Sequence, residues 1–231
     1  MLKHIAILLA SASVSVAASA QRPEFVEIAN RVTAEEPAPA LQEVAPRALA
    51  MLQERAQAIS GCRPTGVTID QPQSALFTIT VMQRLAAQQA RNGWMATAHP
   101  EGCDGAQPAR FLVMRLPDRT LHVQFAGIGE GIAIPLQQDL FVGAGSAAFV
   151  ALSDGRSDCG VDTIRFDSTR IASRSDDLGP DFHGARFAGS WQEAWTFSGC
   201  SRRVEVPIAF TALGDGDMPW SIDTRAMRVL D

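Results

Sequence analysis

The clearest hydrophobic pattern lies near the C-terminal end of the chain. From Arg203 to Phe210, apolar side chains alternate with polar or small ones. A period of two predicts a strand with one buried face. Pro207 has no backbone N–H, so it favours an edge strand or a bulge over a central position. Trp191–Phe197 alternates in the same way, and we expect the two segments to pair.

Two segments are predicted to be helices, and a cysteine follows each of them. Pro46–Ile59 has helical periodicity and runs directly into Cys62. Leu136–Leu152 is apolar over a helical length and ends shortly before Cys159, although its glycines weaken the prediction. The apolar stripe of the first helix consists of Leu49, Leu52, Ala56 and Ile59, and the glycines of the second are Gly143 and Gly145.

Shorter segments fill the space between these elements. Ala75–Leu85 fits both a strand and a helix, and the alternative stays open. The proline-containing segment Arg22–Pro46 is predicted to be partly extended, and Ser173–Gly184 to be a loop. Strands are predicted at Gly66–Asp70, Val161–Asp167, Phe111–Leu116 and Leu121–Phe125, the last two as a hairpin.

The cysteines and two tryptophans repeat at one spacing. Cys62 and Cys103 are 41 positions apart, as are Cys159 and Cys200. The tryptophans, Trp94 and Trp191, each lie 32 positions after the first cysteine of a pair. Only 6 of 42 aligned positions are identical, so chance is the alternative to an internal duplication. Cys62–Cys103 and Cys159–Cys200 are therefore the predicted disulfides.

These observations predict an α+β protein with two similar helix–cysteine–β halves. Each half is expected to hold one antiparallel sheet and one disulfide. The predicted divisions are residues 1–20 as a signal peptide, 21–45 as a leader or linker, 46–135 as the first half and 136–231 as the second.

The first 20 residues have the order of an export signal. A short basic start is followed by an apolar run, Ile5–Ala17, and by small residues before Gln21. The run is shorter than the roughly 20 residues that span a bilayer, so no transmembrane span is expected. Cleavage after Ala20, with Ala18 at position −3, would give a periplasmic or secreted protein. An oxidising compartment agrees with four paired cysteines.

Composition excludes several kinds of chemistry. Lys3 is the only lysine, so the chain from Gln21 onward has 19 arginines against 25 acidic residues. A net charge of −6 argues against binding to nucleic acid. Without lysine or tyrosine, P-loop, Schiff-base and phenolic chemistry are absent. The adjacent pair Arg202-Arg203 is expected simply to face solvent.

No catalytic, metal-binding or cofactor-binding residue is assigned. The histidines, His99, His122 and His183, show no metal-ligand spacing, and each is expected to be a surface or loop residue. Gly143–Ala148 fits a dinucleotide fingerprint, but close helix packing explains its glycines better. Asp215 and Asp217 are explained by a turn, without calcium, and the same explanation covers Asp154 and Asp158.

The tryptophans are the remaining candidates for a binding surface. Their alternation in a strand favours the core over the surface for Trp191 and Trp195. The same segment, W-x-E-x-W followed by Cys200 and an alternating strand, resembles the C-terminal part of uncharacterised exported proteobacterial proteins. Pro135–Asp139 is similar to a region that precedes the first cysteine in those proteins, while Ser201 stands where they have glycine. The resemblance implies export and β content, and no activity or cofactor.

The leading functional hypothesis is a non-catalytic exported protein, a binding or structural module. The alternative is a secreted or periplasmic hydrolase whose site is assembled from distant residues. An inhibitor or toxin-immunity partner is a third class. For the protein as a whole, the sequence does not identify a partner; an envelope protein or a small-molecule ligand is the expected kind.

Overall fold

The computed structural model describes residues 23–59, 62–133, 138–155 and 159–230, and it shows an α+β fold with two antiparallel sheets. The helices are α1 (Pro23–Glu35), α2 (Leu41–Ile59), α3 (Ile79–Ala86) and α4 (Gln138–Ser153). The strands are β1 (Gly66–Ile69), β2 (Gln73–Ser74), β3 (Asn92–Glu101), β4 (Ala109–Arg115), β5 (Leu121–Ile128), β6 (Arg165–Arg174), β7 (Ser190–Gly199), β8 (Arg202–Thr211), β9 (Trp220–Ile222) and β10 (Arg228–Leu230). The predicted fold class is confirmed.

Both halves share one arrangement of helix, disulfide and sheet. The first sheet has the order β1-β3-β4-β5, with β2 also paired to β3. The second has the order β10-β8-β7-β6, with β9 also paired to β8. In each half a disulfide ties the chain just past the helix to the turn after a ten-residue strand, β3 for Cys62–Cys103 and β7 for Cys159–Cys200. The predicted pairing is confirmed. The common order agrees with an internal duplication, which stays a prediction.

One helix covers one face of each sheet. In the first half Val44, Ala48 and Leu52, spaced four apart on α2, are buried against the sheet. In the second half α4 buries an equivalent stripe against inward positions of β7 and β8. That second stripe consists of Leu140, Ala144, Ala148 and Leu152.

The segment predicted to be partly extended is instead largely helical. Residues 23–35 form α1, which buries Ala29 on an amphipathic face. The next helix begins at Leu41, five residues earlier than predicted, and places Pro46 inside it. The Glu43 side chain accepts a hydrogen bond from the N–H of Ala40 at 3.1 Å, the arrangement of half a capping box. Pro46 is the sixth residue of this helix, so it lacks the N–H that would donate to the Gln42 carbonyl, and the helix continues past it.

In two other segments the observed secondary structure differs in detail from the prediction. The ambiguous segment 75–85 becomes helical from Ile79, because Val81 is buried where α3 meets the sheet at Gly93. The predicted strand Val161–Asp167 begins with a 3₁₀ turn over Val161–Thr163, and β6 continues to Arg174. The remainder of the predicted loop, from 175 onward, joins β6 to β7.

Pro207 lies in a central strand, contrary to the prediction of an edge. It pairs with Ala194 of β7 on one side. On the other side, β10 pairs with residues 203–205 and β9 with residues 208–210, so no strand pairs with Pro207 there. Its carbonyl accepts a bond from the Asp223 N–H at 3.3 Å on that side. The missing N–H therefore faces the gap between two strands, and no ladder bond is lost.

The two sheets meet edge to edge between β5 and β6. Gly129, just past β5, forms an isolated parallel bridge with Thr169 of β6. A Cβ on Gly129 would lie 2.2 Å from the Thr169 carbonyl oxygen, and the residue has φ +85°. Only glycine tolerates that conformation and that approach together. Ile132 and Ala133 then contact Glu193 of the second sheet.

Candidate functional site

The histidines lie in three separate places. His99 on β3 lies 2.9 Å from Asp70, between Nε2 and Oδ2, and both side chains are about half exposed. His122 is exposed on β5. His183 contacts the rings of Phe77 and Phe182 in the β6–β7 connection. They were expected to be surface or loop residues, and His183 does lie in a loop, where it is half-buried among aromatic rings.

The W-x-E-x-W segment forms a buried hydrogen-bonded cluster. Trp191 and Trp195 are in the core, as predicted, and Glu193 between them is fully buried. Both indole N–H groups donate to its carboxylate, from Trp191 at 3.1 Å and from Trp195 at 2.8 Å. The N–H groups of Ile132 and Ala133 donate to the same carboxylate at 2.6 and 2.8 Å. The motif therefore forms a buried carboxylate that accepts hydrogen bonds from four N–H groups.

Arg110 of β4 holds the same crossover segment from the first half. Its Nη1 donates to the carbonyls of Gly131 (2.7 Å) and Ala133 (3.1 Å) and its Nη2 to the hydroxyl of Thr169 (3.0 Å). Burial lowers the pKa of Arg110, and the attraction of Glu193 opposes that shift. This buried pair joins the halves and has no access to a ligand.

The glycine and aspartate motifs have structural explanations. A Cβ on Gly143 would lie 3.0 Å from the Trp220 ring, so this glycine permits close packing of α4, as expected. A Cβ on Gly145 would meet nothing within 4 Å, so the prediction of close packing is wrong for this glycine. The N–H of Asp217 donates to the Asp215 carboxylate at 3.1 Å, which confirms the turn. Asp158 and the predicted cleavage residues Ala18, Ala20 and Gln21 lie outside the described residues.

An open cavity of about 620 Å³ lies where β7 turns into β8. The turn between Gly199 and Arg202 has two residues, Cys200 at φ +53° and Ser201 at φ +61°. Both are left-handed, as in tight hairpin turns of the I′ kind, in a conformation that costs a non-glycine residue about 1 kcal/mol or more. The disulfide and the turn hold the cavity wall. Its lining comprises Asp162, Thr163, Arg165, Ser198, Gly199 and Ser201 to Arg203.

Two arginines flank this cavity without an ion-pair partner in the described part of the chain. Arg165 of β6 and Arg203 of β8 are both exposed and both lie opposite Ser198 of the intervening strand. Arg202 is different, because it lies 3.6 Å from Asp154. The expectation that the pair 202–203 simply faces solvent is therefore wrong for Arg202, and Arg203 lines a cavity.

Both arginines interact electrostatically with the carboxylate of Asp167. It is almost buried and accepts a hydrogen bond from the Ser198 hydroxyl at 2.8 Å. Burial raises its pKa above the ordinary aspartate value, while that hydrogen bond and the charges of Arg203 and Arg165 lower it less. Its negative charge is therefore disfavoured at this position.

Two more arginines lie on the same side of the sheet, held by Glu205. Arg170 donates to Glu205 Oε2 through Nε at 3.0 Å and through Nη2 at 2.7 Å. Arg228 donates to Oε1 of the same carboxylate. Burial alone would raise the pKa of Glu205, but the hydrogen bonds from the two arginines bring it below its usual range. One carboxylate thus fixes two guanidinium groups and leaves a net positive charge.

We call the side of the second sheet away from α4 the arginine face. It carries four arginines and two carboxylates, whereas the whole chain has a net charge of −5. Sequence reasoning missed it because the arginines come from three strands, and only the register brings them together. The charged members are Arg165, Arg170, Arg203, Arg228, Asp167 and Glu205.

No family model, curated protein or solved structure matches this chain. In the described ranges no helix is long and apolar enough to cross a bilayer. Across the same ranges no three histidine, cysteine or acidic side chains are grouped to hold a metal ion. The best candidate for a binding site is therefore the cavity with its flanking arginines.

Proposed function

We propose that this protein is an exported, non-catalytic binding module that takes an anionic ligand in the cavity at the β7–β8 turn. The observation that carries the proposal is the pair Arg165 and Arg203, which flank the cavity without an ion-pair partner among the described residues. A guanidinium group has five donors in a planar fork that suits carboxylate, sulfate or phosphate oxygens. Two such groups around one cavity favour a ligand with negative charge.

Three hydroxyl groups and one carboxylate, that of Asp162, also line the cavity. Ser198 lies between the arginines, and Thr163 and Ser201 also line the cavity. The Thr163 hydroxyl donates to the Gly160 carbonyl, whereas the Ser201 hydroxyl on the turn can donate to an anion. Ser198 already donates to Asp167, so it is held in place. Hydrogen bonds with one charged partner are stronger than neutral ones, which supports recognition even at an open site.

Export rests on the predicted signal peptide and on two disulfides, which are typical of oxidising compartments. We expect mass spectrometry of the protein from its native host to give an N-terminus at Gln21, in periplasmic or secreted material. Recovery of intact Met1 from the soluble fraction would contradict export.

The alternative class is a hydrolase, and one observation bears on it. His99 and Asp70 are paired as in a base and its orienting acid. Their half-exposed position on the first sheet offers little exclusion of water. His99→Ala should leave ligand binding unchanged, and loss of a hydrolytic activity in that variant would favour the enzyme.

The binding test uses phosphate and sulfate at constant ionic strength. We expect saturable amide shifts in nuclear magnetic resonance spectra around the β7–β8 turn, and their loss in the double variant Arg165→Ala/Arg203→Ala. The matched control, Arg31→Ala/Arg84→Ala, removes two exposed guanidinium groups from α1 and α3, away from the second sheet. Equal responses in both double variants would show non-specific screening and reject the site.

A further inference from the structure

The arginine face extends well beyond the cavity. Adjacent strands lie about 4.8 Å apart, so Arg165 and Arg203, separated by one strand, have Cα atoms about 10 Å apart. Arg228 is the diagonal neighbour of Arg203 on the next strand, at about 8 Å. Arg170 is about 13 Å along β6 from Arg165, since the paired positions on β7 are four residues apart. This spread exceeds what one compact anion can contact.

Arg170 and Arg228, the arginines farther from the cavity, have fixed side-chain positions. Glu205 fixes the guanidinium groups of Arg170 and Arg228, while 53% and 64% of these side chains remain exposed. Each keeps N–H donors that Glu205 does not use. Rotamers that are fixed before binding lose less entropy when the ligand arrives. The cluster is therefore a second anion contact, separate from the cavity.

Apart from Glu205, the outward positions along β7 and the middle of β8 are small or polar and uncharged. Outward positions of β7 carry Gln192, Ala194, Thr196 and Ser198, and those of β8 include Pro207 and Ala209. These side chains leave a flat surface with hydrogen-bonding groups and no aromatic ring. A ligand that lies across it must alternate negative charges with neutral polar groups.

We propose that the arginine face binds an extended acidic polysaccharide, a sugar polymer whose carboxylate or sulfate groups recur along its length. This inference rests on the proposed function, because one acidic group would occupy the cavity between Arg165 and Arg203. The next groups along the polymer contact Arg228 and Arg170. Sugar hydroxyls pair with Thr196 between the clusters, with Ser198 beside the cavity and with Gln192 beyond Arg170.

Other polyanions fit the face less well. Nucleic acid needs a concentrated basic surface and gains from aromatic stacking, whereas this face has four arginines, two acids and no ring. An acidic peptide in strand form pairs its backbone with a sheet edge, whereas these four arginines lie on the face of the sheet. The flat face between the edges suits a polymer that binds through side chains alone.

The test compares galacturonate monomer, tetramer and decamer by isothermal titration calorimetry on the oxidised chain from Gln21 to Asp231. We expect the monomer to bind weakly at the cavity and the decamer at least about tenfold more tightly, because linked contacts add avidity. Affinity for the decamer should fall as salt increases. Neutral dextran of similar length should not bind.

Two double variants locate the polymer. Arg170→Ala/Arg228→Ala should lower decamer affinity about tenfold and leave phosphate binding at the cavity unchanged. Arg165→Ala/Arg203→Ala should abolish both, and Arg31→Ala/Arg84→Ala should alter neither. Circular dichroism spectra that match the parent protein confirm that each variant is folded.

The outcomes separate the two proposals. If phosphate and the monomer bind but the decamer binds no more tightly, the polysaccharide inference fails and the cavity proposal stands. If poly-glutamate or a thymidine oligonucleotide binds as tightly as the decamer, the polymer class is wrong. If no anion binds, both proposals fail.

Discussion

Arg110 and Glu193 bond to the backbone of the same residue, Ala133, the arginine at its carbonyl (3.1 Å) and the glutamate at its amide (2.8 Å). One comes from the first sheet and the other from the second. Both charges are buried, and the segment between them satisfies several of their hydrogen bonds. The connection between the halves is thus an internal polar cluster.

Glu193→Gln should destabilise the folded protein by about 3 kcal/mol, because removing one partner of a buried charge pair leaves the other uncompensated. The new amide also places N–H groups against an indole N–H or backbone donors. Glu193→Ala should cost at least as much, since four donors lose their acceptor. Urea denaturation of the oxidised protein measures both free energies of unfolding.

Gln192→Ala is the control for these variants. It changes the neighbouring residue of β7, whose side chain is exposed. We expect a change within about 0.5 kcal/mol. A similarly small effect for Glu193→Gln would show that the buried cluster is not important for stability.

Removing one disulfide should loosen its own half more than the other. Each bridge closes a span of 41 residues, which corresponds to about 4 kcal/mol in the chain-entropy description. For Cys62→Ser/Cys103→Ser we expect faster amide hydrogen exchange in β1 and β3 than in β6 and β7. Cys159→Ser/Cys200→Ser should reverse the order, and uniform loss of protection in both variants would contradict independent halves.

The sequence predicted the structure best where a local pattern, such as residue spacing or alternation, is compatible with only one arrangement. Equal cysteine spacings indicated the disulfides because each bridge closes within one half, and strict alternation located β8 because one of its faces is buried. The same alternation placed Glu193 at an inward position between two tryptophans. That position was an available signal of a buried acid, since an unpaired carboxylate cannot remain there.

Other features depend on contacts that the sequence does not record. The arginine face is assembled by register across strands, including the bulges in β6, and a shift of one residue would send its side chains to the other face. Helix α1 was missed because Pro37 and Pro39 dominate the segment that follows it. Pro207 contradicted a rule about central strands because two short strands share one side of β8 and leave a gap.

Asp167→Asn should stabilise the protein increasingly as pH rises from 4 to 7. The folded-state pKa of Asp167 is raised, so the folded protein holds this proton more tightly than the unfolded chain. That contribution is complete below the unfolded pKa of about 3.9 and is lost as pH rises through the folded pKa. Asparagine stays neutral and avoids the loss. Urea denaturation at each pH measures the free energy of unfolding, with Asp176→Asn in the exposed loop as control. If the difference in free energy between Asp167→Asn and the parent protein does not change with pH, the raised pKa of Asp167 is refuted.

Two glycines in α4 provide a matched pair. Gly145→Ala should stabilise the protein by up to about 1 kcal/mol, because alanine favours helix and its Cβ enters open space. Gly143→Ala should gain less or lose stability, since its Cβ would lie 3.0 Å from the Trp220 ring. Thermal unfolding followed by circular dichroism compares them. Equal gains would show that Trp220 moves aside freely.

The meeting of β5 and β6 also affects how the chain avoids self-association. Each is the last strand of its sheet, and each covers part of the other's edge near the bridge between Gly129 and Thr169. An exposed strand edge is a template for aggregation and domain swapping. Either half produced alone would uncover this edge, so the two halves act as each other's cap against fibre-like assembly.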